Sequence, residues 1–174
     1  MNASEGERSP GIAIAKVTRI HDDSGLGRIE VEYPWLAEGQ AVERMVSVAA
    51  PMAGADAGIY FMPAIGDEVV VAFNQGHWDH PYVIGYLWNP QQRPPSLDER
   101  QRMIRSKNGH TIRFVDSTPG SGNSGTLIVE DAHHNVITMT NGRVVIHSKG
   151  ALEIRSDGET TIQGRPVKRI GGPI

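Results

Sequence analysis

Apolar residues recur at every second position in several short stretches of this chain. Ile29, Val31 and Tyr33 form one such series, and the run at 69–73 forms another. A period of two places alternate side chains on one face of a β-strand. Segments rich in Gly, Asp and Pro separate these stretches, as expected of turns. We therefore predict five strands in the first half of the chain, over residues 11–20, 28–33, 44–50, 68–73 and 82–87.

The last quarter of the chain follows a different period, a repeat of eight residues. Residues 141–172 read as four successive octads, NGRVVIHS, KGALEIRS, DGETTIQG and RPVKRIGG. The second position of each octad carries a turn residue, and the sixth carries isoleucine. A short regular period of this kind is typical of stacked β-repeats. The turn residues are Gly142, Gly150, Gly158 and Pro166, and the isoleucines are Ile146, Ile154, Ile162 and Ile170.

Alternation within the octads produces one apolar face and one largely polar face, the latter carrying His147 and Arg155. One turn of a β-helix takes three such strands, so four octads cannot cover their own apolar face. Three copies wound together would cover it, and we predict an intertwined trimeric β-helix or β-prism. A plain antiparallel meander folded onto the first domain is the alternative. The predicted trimer core consists of Val144, Ile146, Leu152, Ile154, Thr160 and Ile162.

Together these patterns predict an all-β protein in which a barrel precedes the repeat. Five short strands within about eighty residues are typical of the five-stranded OB-fold. Three prolines within PQQRPPS indicate an extended linker. The predicted organisation is a disordered N-terminus at 1–10, an OB-fold barrel at 11–89, a proline-rich linker at 90–102, and a β-helical shaft and tip at 103–174.

Composition and charge restrict the classes of function. The chain has 174 residues, no cysteine and a net charge of −3. Without cysteine it forms neither disulfides nor cysteine-ligated metal sites. Residues 10–95 hold five Lys or Arg against ten Asp or Glu, which disfavours nucleic-acid binding. The apolar runs are too short to cross a bilayer, and the polar N-terminus is unlike a signal peptide. We therefore expect a protein made in the cytoplasm, without signal peptide or transmembrane helix.

The histidines and carboxylates match no known catalytic or metal-binding motif. His77 and His80 lie in a loop without a third ligand nearby, which favours an exposed loop over a metal site. His133 and His134 are neighbours in a predicted strand, so their side chains should point to opposite faces. The sequence has no GxSxG or other nucleophile motif. We expect no catalytic residue, no metal and no cofactor.

The three tryptophans lie at the ends of predicted barrel strands or in the loops between them. Large aromatic side chains at such positions usually plug the mouth of a small barrel or anchor an interface. We place Trp88, at the end of the fifth strand, in the core. For Trp35 and Trp78, which lie in loops, we predict contacts with a neighbouring protomer or a docking partner.

Three stretches of the barrel are distinctive in their order and spacing: APMAG at 50–54, GIYFMPAIGDEVVVAF at 58–73 and PYVIGYLWN at 81–89. IRSKNGHTIRFVDS follows at 104–117, before the repeats. This series resembles the central spike proteins of contractile tails. The family includes phage baseplate assembly protein V and the spike region of VgrG from type VI secretion. The resemblance covers residues 11–164, nearly the whole chain.

The resemblance implies a homotrimer at the tip of a tail tube, docked below a hub and often capped by a small PAAR-type protein. We expect a separate hub protein, in contact with Trp35 or Trp78, since nothing before residue 11 could supply one. The linker is too short for a lysozyme-like insertion. The chain ends in KRIGGPI, without the iron-binding His-x-His of some phage spikes, which favours a separate cap. The residues expected to contact that cap are Ile170, Pro173 and Ile174.

The expected function is therefore structural and not enzymatic. A spike of this kind closes the tail tube, contacts the target envelope transiently and pierces it when the sheath contracts. It would be assembled into the baseplate of a phage tail or phage-tail-like particle. The alternative is an OB-fold oligosaccharide-binding module on a β-repeat stalk. An enzyme such as a peptidoglycan hydrolase is the third interpretation.

Overall fold

The structure, a computed structural model, describes residues 11–36, 44–118, 120 and 122–164. The chain divides into two compact units at the boundary between Pro94 and Pro95. Both units consist of β-strands, and the one short helical turn in the described ranges is Asn74–Gly76. Within those ranges no helix is long and apolar enough to cross a bilayer. The prediction of an all-β protein is confirmed.

The described residues of the first unit contain seven strands, and five of them close into a barrel. The seven are β1 (Ile12–Arg19), β2 (Ile29–Glu32), β3 (Arg44–Val48), β4 (Ala53–Gly54), β5 (Ala57–Gly58), β6 (Glu68–Phe73) and β7 (Pro81–Leu87). The barrel order is β1-β2-β3-β7-β6, while β4 and β5 form a separate small hairpin. β3 and β7 run parallel, and the other barrel neighbours are antiparallel. The predicted five-stranded, OB-like barrel is confirmed.

Alternation along the strands explains the barrel core. In β1, β2 and β6 the buried residues occupy every second position, so that one side chain in two points inward. Most of the buried side chains are small or β-branched, which suits strands and fits a narrow interior. Each fully buried Val or Ile stabilises the fold by about 1.5–3 kcal/mol. The core consists of Ala13, Ala15, Val17, Ile29, Val31, Tyr33, Val46, Val69, Val71, Phe73 and Val83.

Between β3 and β6 the chain leaves the barrel wall as an exposed excursion. We call residues 51–61, which include β4 and β5, the hairpin arm. Every residue of the arm is exposed, and Asp56 is its only charged residue. Asp56 has a left-handed backbone (φ 53°), as Asp tolerates at the tip of a tight turn. The amide of Ile59 donates to the carbonyl of Met52 at 3.0 Å and holds the two sides of the arm together.

Proline-rich residues follow the barrel. The amides of Asn89 and Gln92 each donate to the other residue's carbonyl at 3.1 Å, which forms a closed turn. Gln92 Nε2 also donates to Asp67 Oδ1 at 2.7 Å and fixes this turn on the barrel. The first strand of the second unit begins at Gln101, so it starts within the segment that we predicted as linker.

The second unit contains one sheet of five antiparallel strands, each five residues long. They are β8 (Gln101–Arg105), β9 (Thr111–Val115), β10 (Thr126–Glu130), β11 (Val136–Thr140) and β12 (Arg143–His147). The spatial order follows the chain, which makes the sheet a simple meander with β8 and β12 at its edges. Asn141 and Gly142 connect β11 to β12 with positive φ values of 44° and 73°, as a two-residue type I′ hairpin turn requires.

Candidate functional site

The most prominent surface of the second unit is one face of its sheet, which we call the apolar sheet face. Residues directly opposite each other in neighbouring strands lie on the same face. The observed register aligns two rows of residues that cross all five strands, and every member except Arg102 is apolar. The first row is Ile104, Ile112, Val129, Ile137 and Ile146, and the second is Arg102, Phe114, Leu127, Met139 and Val144.

Among the residues that the structure describes, this apolar sheet face is largely exposed. Eight of its large hydrophobic side chains are 38–63 % exposed, from Val129 and Ile137 at the low end to Val144 at the high end. Soluble monomers rarely expose a continuous apolar surface of this extent. Two of the predicted trimer-core residues, Val144 and Ile146, lie on it. The surface therefore has the character of an interface, not of a solvated sheet.

The opposite face of the same sheet is largely polar. Thr126 and Thr140 are joined across β10 and β11 by a 3.1 Å hydrogen bond between their hydroxyls. Arg113 Nη2 lies 3.4 Å from Glu130 Oε2 on the same face. His147 also lies there, next to Val136 in the register. The two faces thus differ in polarity, and the apolar one has the character of an interaction surface.

Two successive octad turns share one hydrogen-bond pattern. Ser148 Oγ accepts from the amide of Gly150, and Ser156 Oγ accepts from the amide of Gly158, both at 3.2 Å. These are local serine turns, which form without help from distant residues. Asn135 Oδ1 accepts from the amide of Lys149 at 2.8 Å and ties the second octad to the β10–β11 connection. The octad period is thus visible in the backbone as well as in the sequence.

Of the three octads that the structure describes, only the first contributes a strand to the meander. In residues 149–164 the structure assigns no strand, and Leu152, Ile154, Thr160 and Ile162 are exposed. Their place in a trimer core therefore remains a prediction. Pro166 and the predicted cap contacts, Ile170, Pro173 and Ile174, lie outside the described residues. An antiparallel meander was the alternative prediction for the octads. The structure shows a meander from β8 to β12, and β12 lies in the first octad.

The tryptophans differ from the sequence prediction in one respect. Trp78 packs against the barrel core, with its ring centroid 4.6 Å from Phe73 and 5.9 Å from Tyr33. Trp35 lies beside it at 5.7 Å and is about half exposed. Trp88, which we placed in the core, is 67 % exposed, so that prediction is wrong. In β7 no residue after Val83 is buried, and Trp78, from the β6–β7 loop, packs against the core instead.

The histidines form no metal cluster in the part of the chain that the structure describes. We predicted that His133 and His134 lie in a strand, but they lie in the turn between β10 and β11. His134 has a positive φ of 64°, and its Nδ1 lies 2.7 Å from Glu130 Oε1. The pairing of β10 with β11 ends at Glu130 and Val136, and both histidines lie in the turn between these two residues. The alternation of side chains along a strand therefore does not apply to them.

The β2–β3 side of the barrel, where OB-folds usually bind their ligands, carries balanced charges. Glu30 and Glu32 alternate with the buried residues of β2, so their side chains point outward. Arg19 Nε lies 2.7 Å from Glu30 Oε2, and Lys16 lies opposite Glu32 in the register. Phosphate backbones bind to an excess of positive charge, which these residues do not provide.

Asp22 organises the loop between β1 and β2. Its carboxylate accepts five hydrogen bonds of 2.6–3.2 Å from Arg28 and Ser24, and its side chain is only 5 % exposed. The side-chain bonds from Arg28, followed by that from Ser24, hold the pKa of Asp22 well below its ordinary value of 3.8. A carboxyl with a lowered pKa stabilises the fold above that ordinary value and loses the effect as pH falls below it.

We therefore expect the Asp22→Asn variant to unfold at a lower temperature than the parent protein at pH 7. Its stability should also fall less steeply than the parent's between pH 4 and pH 2. Thermal unfolding followed by circular dichroism across this range would measure both effects. Asp23→Asn is the matched control. It removes the carboxylate of the neighbouring residue, whose side chain is 84 % exposed. Parallel acid slopes for the parent and Asp22→Asn would contradict this role of Asp22.

Comparison with known proteins agrees with the geometry of the barrel. Residues 13–88, from β1 through β7, match the family model described as the type VI secretion system/phage-baseplate injector OB domain. The resemblance to VgrG-like baseplate spikes is confirmed. The match begins one residue after the start of β1 and ends at Trp88, one residue after β7.

Curated relatives include type VI secretion system spike proteins of Pseudomonas aeruginosa. VgrG2a is 40 % identical over 79 residues, which are 44 % of this chain and 9 % of the relative. VgrG5 is 34 % identical over 115 residues, which are 64 % of this chain and 14 % of the relative. The chain therefore aligns with only a small part of the length of these spike proteins.

Proposed function

We propose that this protein is the trimeric central spike of a contractile tail or injection system. It would close the tail tube below a hub and pierce the target envelope when the sheath contracts. The uncovered apolar sheet face is the observation that carries the proposal, because a spike shaft made of three copies would cover it. The injector-type OB barrel on the same chain supports it independently.

The dimensions of the sheet suit a three-sided prism. Neighbouring strands lie about 4.8 Å apart, so a sheet of five strands is about 24 Å wide. Three such sheets around a three-fold axis would each lie about 7 Å from that axis. Packed sheets are about 10 Å apart, so side chains fill about 5 Å on each side. Each sheet of the prism would therefore lie farther from the axis than ordinary side-chain packing fills. Long side chains of the apolar sheet face, such as Phe114 and Met139, would fill the difference.

The energy available from this cover is comparable to the cost of association. Full burial of an Ile, Leu, Met or Phe side chain contributes about 1.5–3 kcal/mol. Eight side chains that start about half exposed would therefore contribute roughly 6–12 kcal/mol per copy. Association itself costs about 4–15 kcal/mol. The octads beyond β12, with Leu152, Ile154 and Ile162 exposed, would add to the favourable side.

The edges of the sheet also favour assembly. β8 and β12 each present one unpaired side, and such edges readily accept another strand. Five strands is an odd number, so β8 and β12 run in the same direction. In a three-fold assembly with strands along the axis, β12 of one copy would therefore meet β8 of the next in parallel. A shaft closed in this way has no free lateral edge and would transmit force without unravelling.

The partners of such a spike follow from its place in the particle. A hub protein would dock on the barrel, with Trp35 and Trp78 as the predicted contacts at one barrel mouth. A PAAR-type cap would bind the C-terminal tip at Ile170, Pro173 and Ile174. The assembled protein would belong to a baseplate, and its contact with the target envelope would be transient. No catalytic step enters this function.

The proposal is tested by the molar mass of the purified full chain. Light scattering after size exclusion is expected to give three times 18.9 kDa, and the trimer should resist SDS at room temperature. Interwound strands come apart only when all three chains unfold together, which explains the expected resistance. A monomer at micromolar concentration would overturn the proposal and would bring the oligosaccharide-binding module forward.

A further inference from the structure

The barrel unit carries an exposed apolar surface that its fold does not explain. The hairpin arm contributes Met52, Ile59, Tyr60 and Phe61, all exposed. The hydroxyl of Tyr86 donates to the carbonyl of Phe61 at 3.0 Å and so fixes the base of the arm on β7. An arm held in this way is a built structural feature, and its apolar side chains are not covered by its own barrel.

A groove of about 750 Å³ lies between the arm and the barrel wall. The loop before β2 contributes Leu26 to it, and β7 contributes Ile84 and Tyr86. Among the described residues that line the groove, Asp56 is the only charged one. An apolar groove with a single charge suits an apolar protein surface better than a sugar or a nucleotide, which require several polar groups.

The second part of this surface is the outward side of three barrel strands, which we call the outer barrel face. In β1 the outward residues alternate with the buried ones, as they also do in β6 and β7. Ile12 pairs with Ala72 and Ile14 with Val70, while Ala72 pairs with Tyr82. Ile84 belongs to both this face and the groove, so the two parts are continuous. The outer barrel face consists of Ile12, Ile14, Val70, Ala72, Tyr82 and Ile84.

The combined surface is too large to be an ordinary solvated patch. Tyr60, Phe61, Tyr82 and Tyr86 are 41–79 % exposed, and aromatic side chains bury 150–250 Å² each. These four alone therefore leave roughly 350–550 Å² in water, as much as the largest apolar patch of a typical monomer. An apolar surface of this size marks an interaction site.

We propose that the hairpin arm of one copy packs against the outer barrel face of the next copy, so that three barrels form a closed ring. The inference rests on the proposed trimer and adds a second interface to it. Contacts between two different surfaces of identical chains close into rings when the rotation permits. The arm and the outer barrel face are two such surfaces, and every copy carries both.

The proposed shaft favours another copy of the chain over the hub as the partner of this surface. The outer barrel face is apolar at its centre and is bordered by Lys16 and Glu68, which lie opposite each other in the register of β1 and β6. Permanent homo-oligomeric interfaces are more apolar and resemble a divided core. A shaft that already joins three chains also raises the local concentration of the barrels, so their contact forms without a large affinity of its own.

Cysteine protection in the full-length protein tests this interface, since the chain has no native cysteine. Tyr60→Cys reports on the arm, Ile14→Cys on the outer barrel face, and Gln91→Cys, at an exposed turn, is the control. In the native protein we expect maleimide to label the first two at least about tenfold more slowly than the control, because each thiol reacts only when the interface opens. In denaturant the three rates should be equal.

A short bis-maleimide distinguishes the proposed pairing from others. On a denaturing gel run after boiling, which separates non-covalent trimers, the double variant with Tyr60→Cys and Ile14→Cys should give covalent dimers and trimers, whereas each single variant should stay monomeric. Single variants that cross-link into dimers would overturn the pairing of arm with face. A trimer by light scattering with fast labelling of both thiols would overturn the barrel interface alone. A monomer would remove the proposed function and this inference together.

Discussion

Replacing Ile146 by aspartate is expected to abolish the trimer while leaving the single chain folded. Ile146 lies at the end of a row on the apolar sheet face, and it is 56 % exposed in the single chain. A carboxylate is therefore tolerated there before assembly. In a closed shaft it would be buried three times over, at a cost of several kcal/mol per ion. We expect the dissociation constant of the trimer to rise by more than about a thousandfold.

His147→Asp is the matched control for this prediction. His147 is the next residue of the same strand, is exposed and points to the polar face. The variant introduces the same charge at the same edge of the sheet, and its mass should remain that of the trimer. Light scattering at micromolar concentration measures both variants, and circular dichroism confirms that they are folded. A stable Ile146→Asp trimer would refute the inward assignment of the apolar sheet face.

The second large effect is expected from Gly125→Ala, at the start of β10. Gly125 has a φ of 86°, and a Cβ placed on it would lie 2.3 Å from the carbonyl oxygen of Val115. That oxygen belongs to the backbone of β9, which pairs with β10 at Val115 and Thr126. The clash can be relieved only by moving the strands apart. Together with the backbone strain, this clash is expected to lower the free energy of unfolding by about 3 kcal/mol or more.

Gly142→Ala separates the clash from the backbone strain. Gly142 also has a positive φ, 73°, but nothing lies within 4 Å of an added Cβ. Its substitution should cost only the left-handed conformation, about 1–2 kcal/mol. Urea unfolding of the parent and both variants at one protein concentration gives the comparison, since oligomer stability depends on concentration. Equal losses for the two variants would show that the approach to Val115 has no energetic consequence.

Local sequence pattern was sufficient to predict the barrel. The strands at 28–33 and 68–73 were located from a period of two, because a strand that is buried on one side has apolar residues at every second position. The turn at Gly142 was predicted from its residue type, since glycine readily adopts the positive φ that tight turns require. These features depend on residues within one or two positions of each other.

The exposed surfaces were not predictable in the same way. The sequence placed Trp88 in the core and treated 51–58 as a turn, whereas the structure exposes Trp88 and shows a hairpin arm of eleven exposed residues. An apolar residue in an irregular segment carries no period, so its environment depends on which distant strand passes beside it. Trp78 returns to the core from a loop for the same reason, through contacts with Tyr33 and Phe73.

The sequence by itself determined the positions of the barrel strands, the inward residues and the octad period, because strands and tight turns depend on near neighbours. Only the tertiary structure decided the register that aligns Ile104, Ile112, Val129, Ile137 and Ile146 in one row. It also decided the approach of Gly125 to Val115 and the continuity of the hairpin arm with the outer barrel face. These features arise from pairing between residues that are distant in the chain, and no local pattern determines which strands pair with each other.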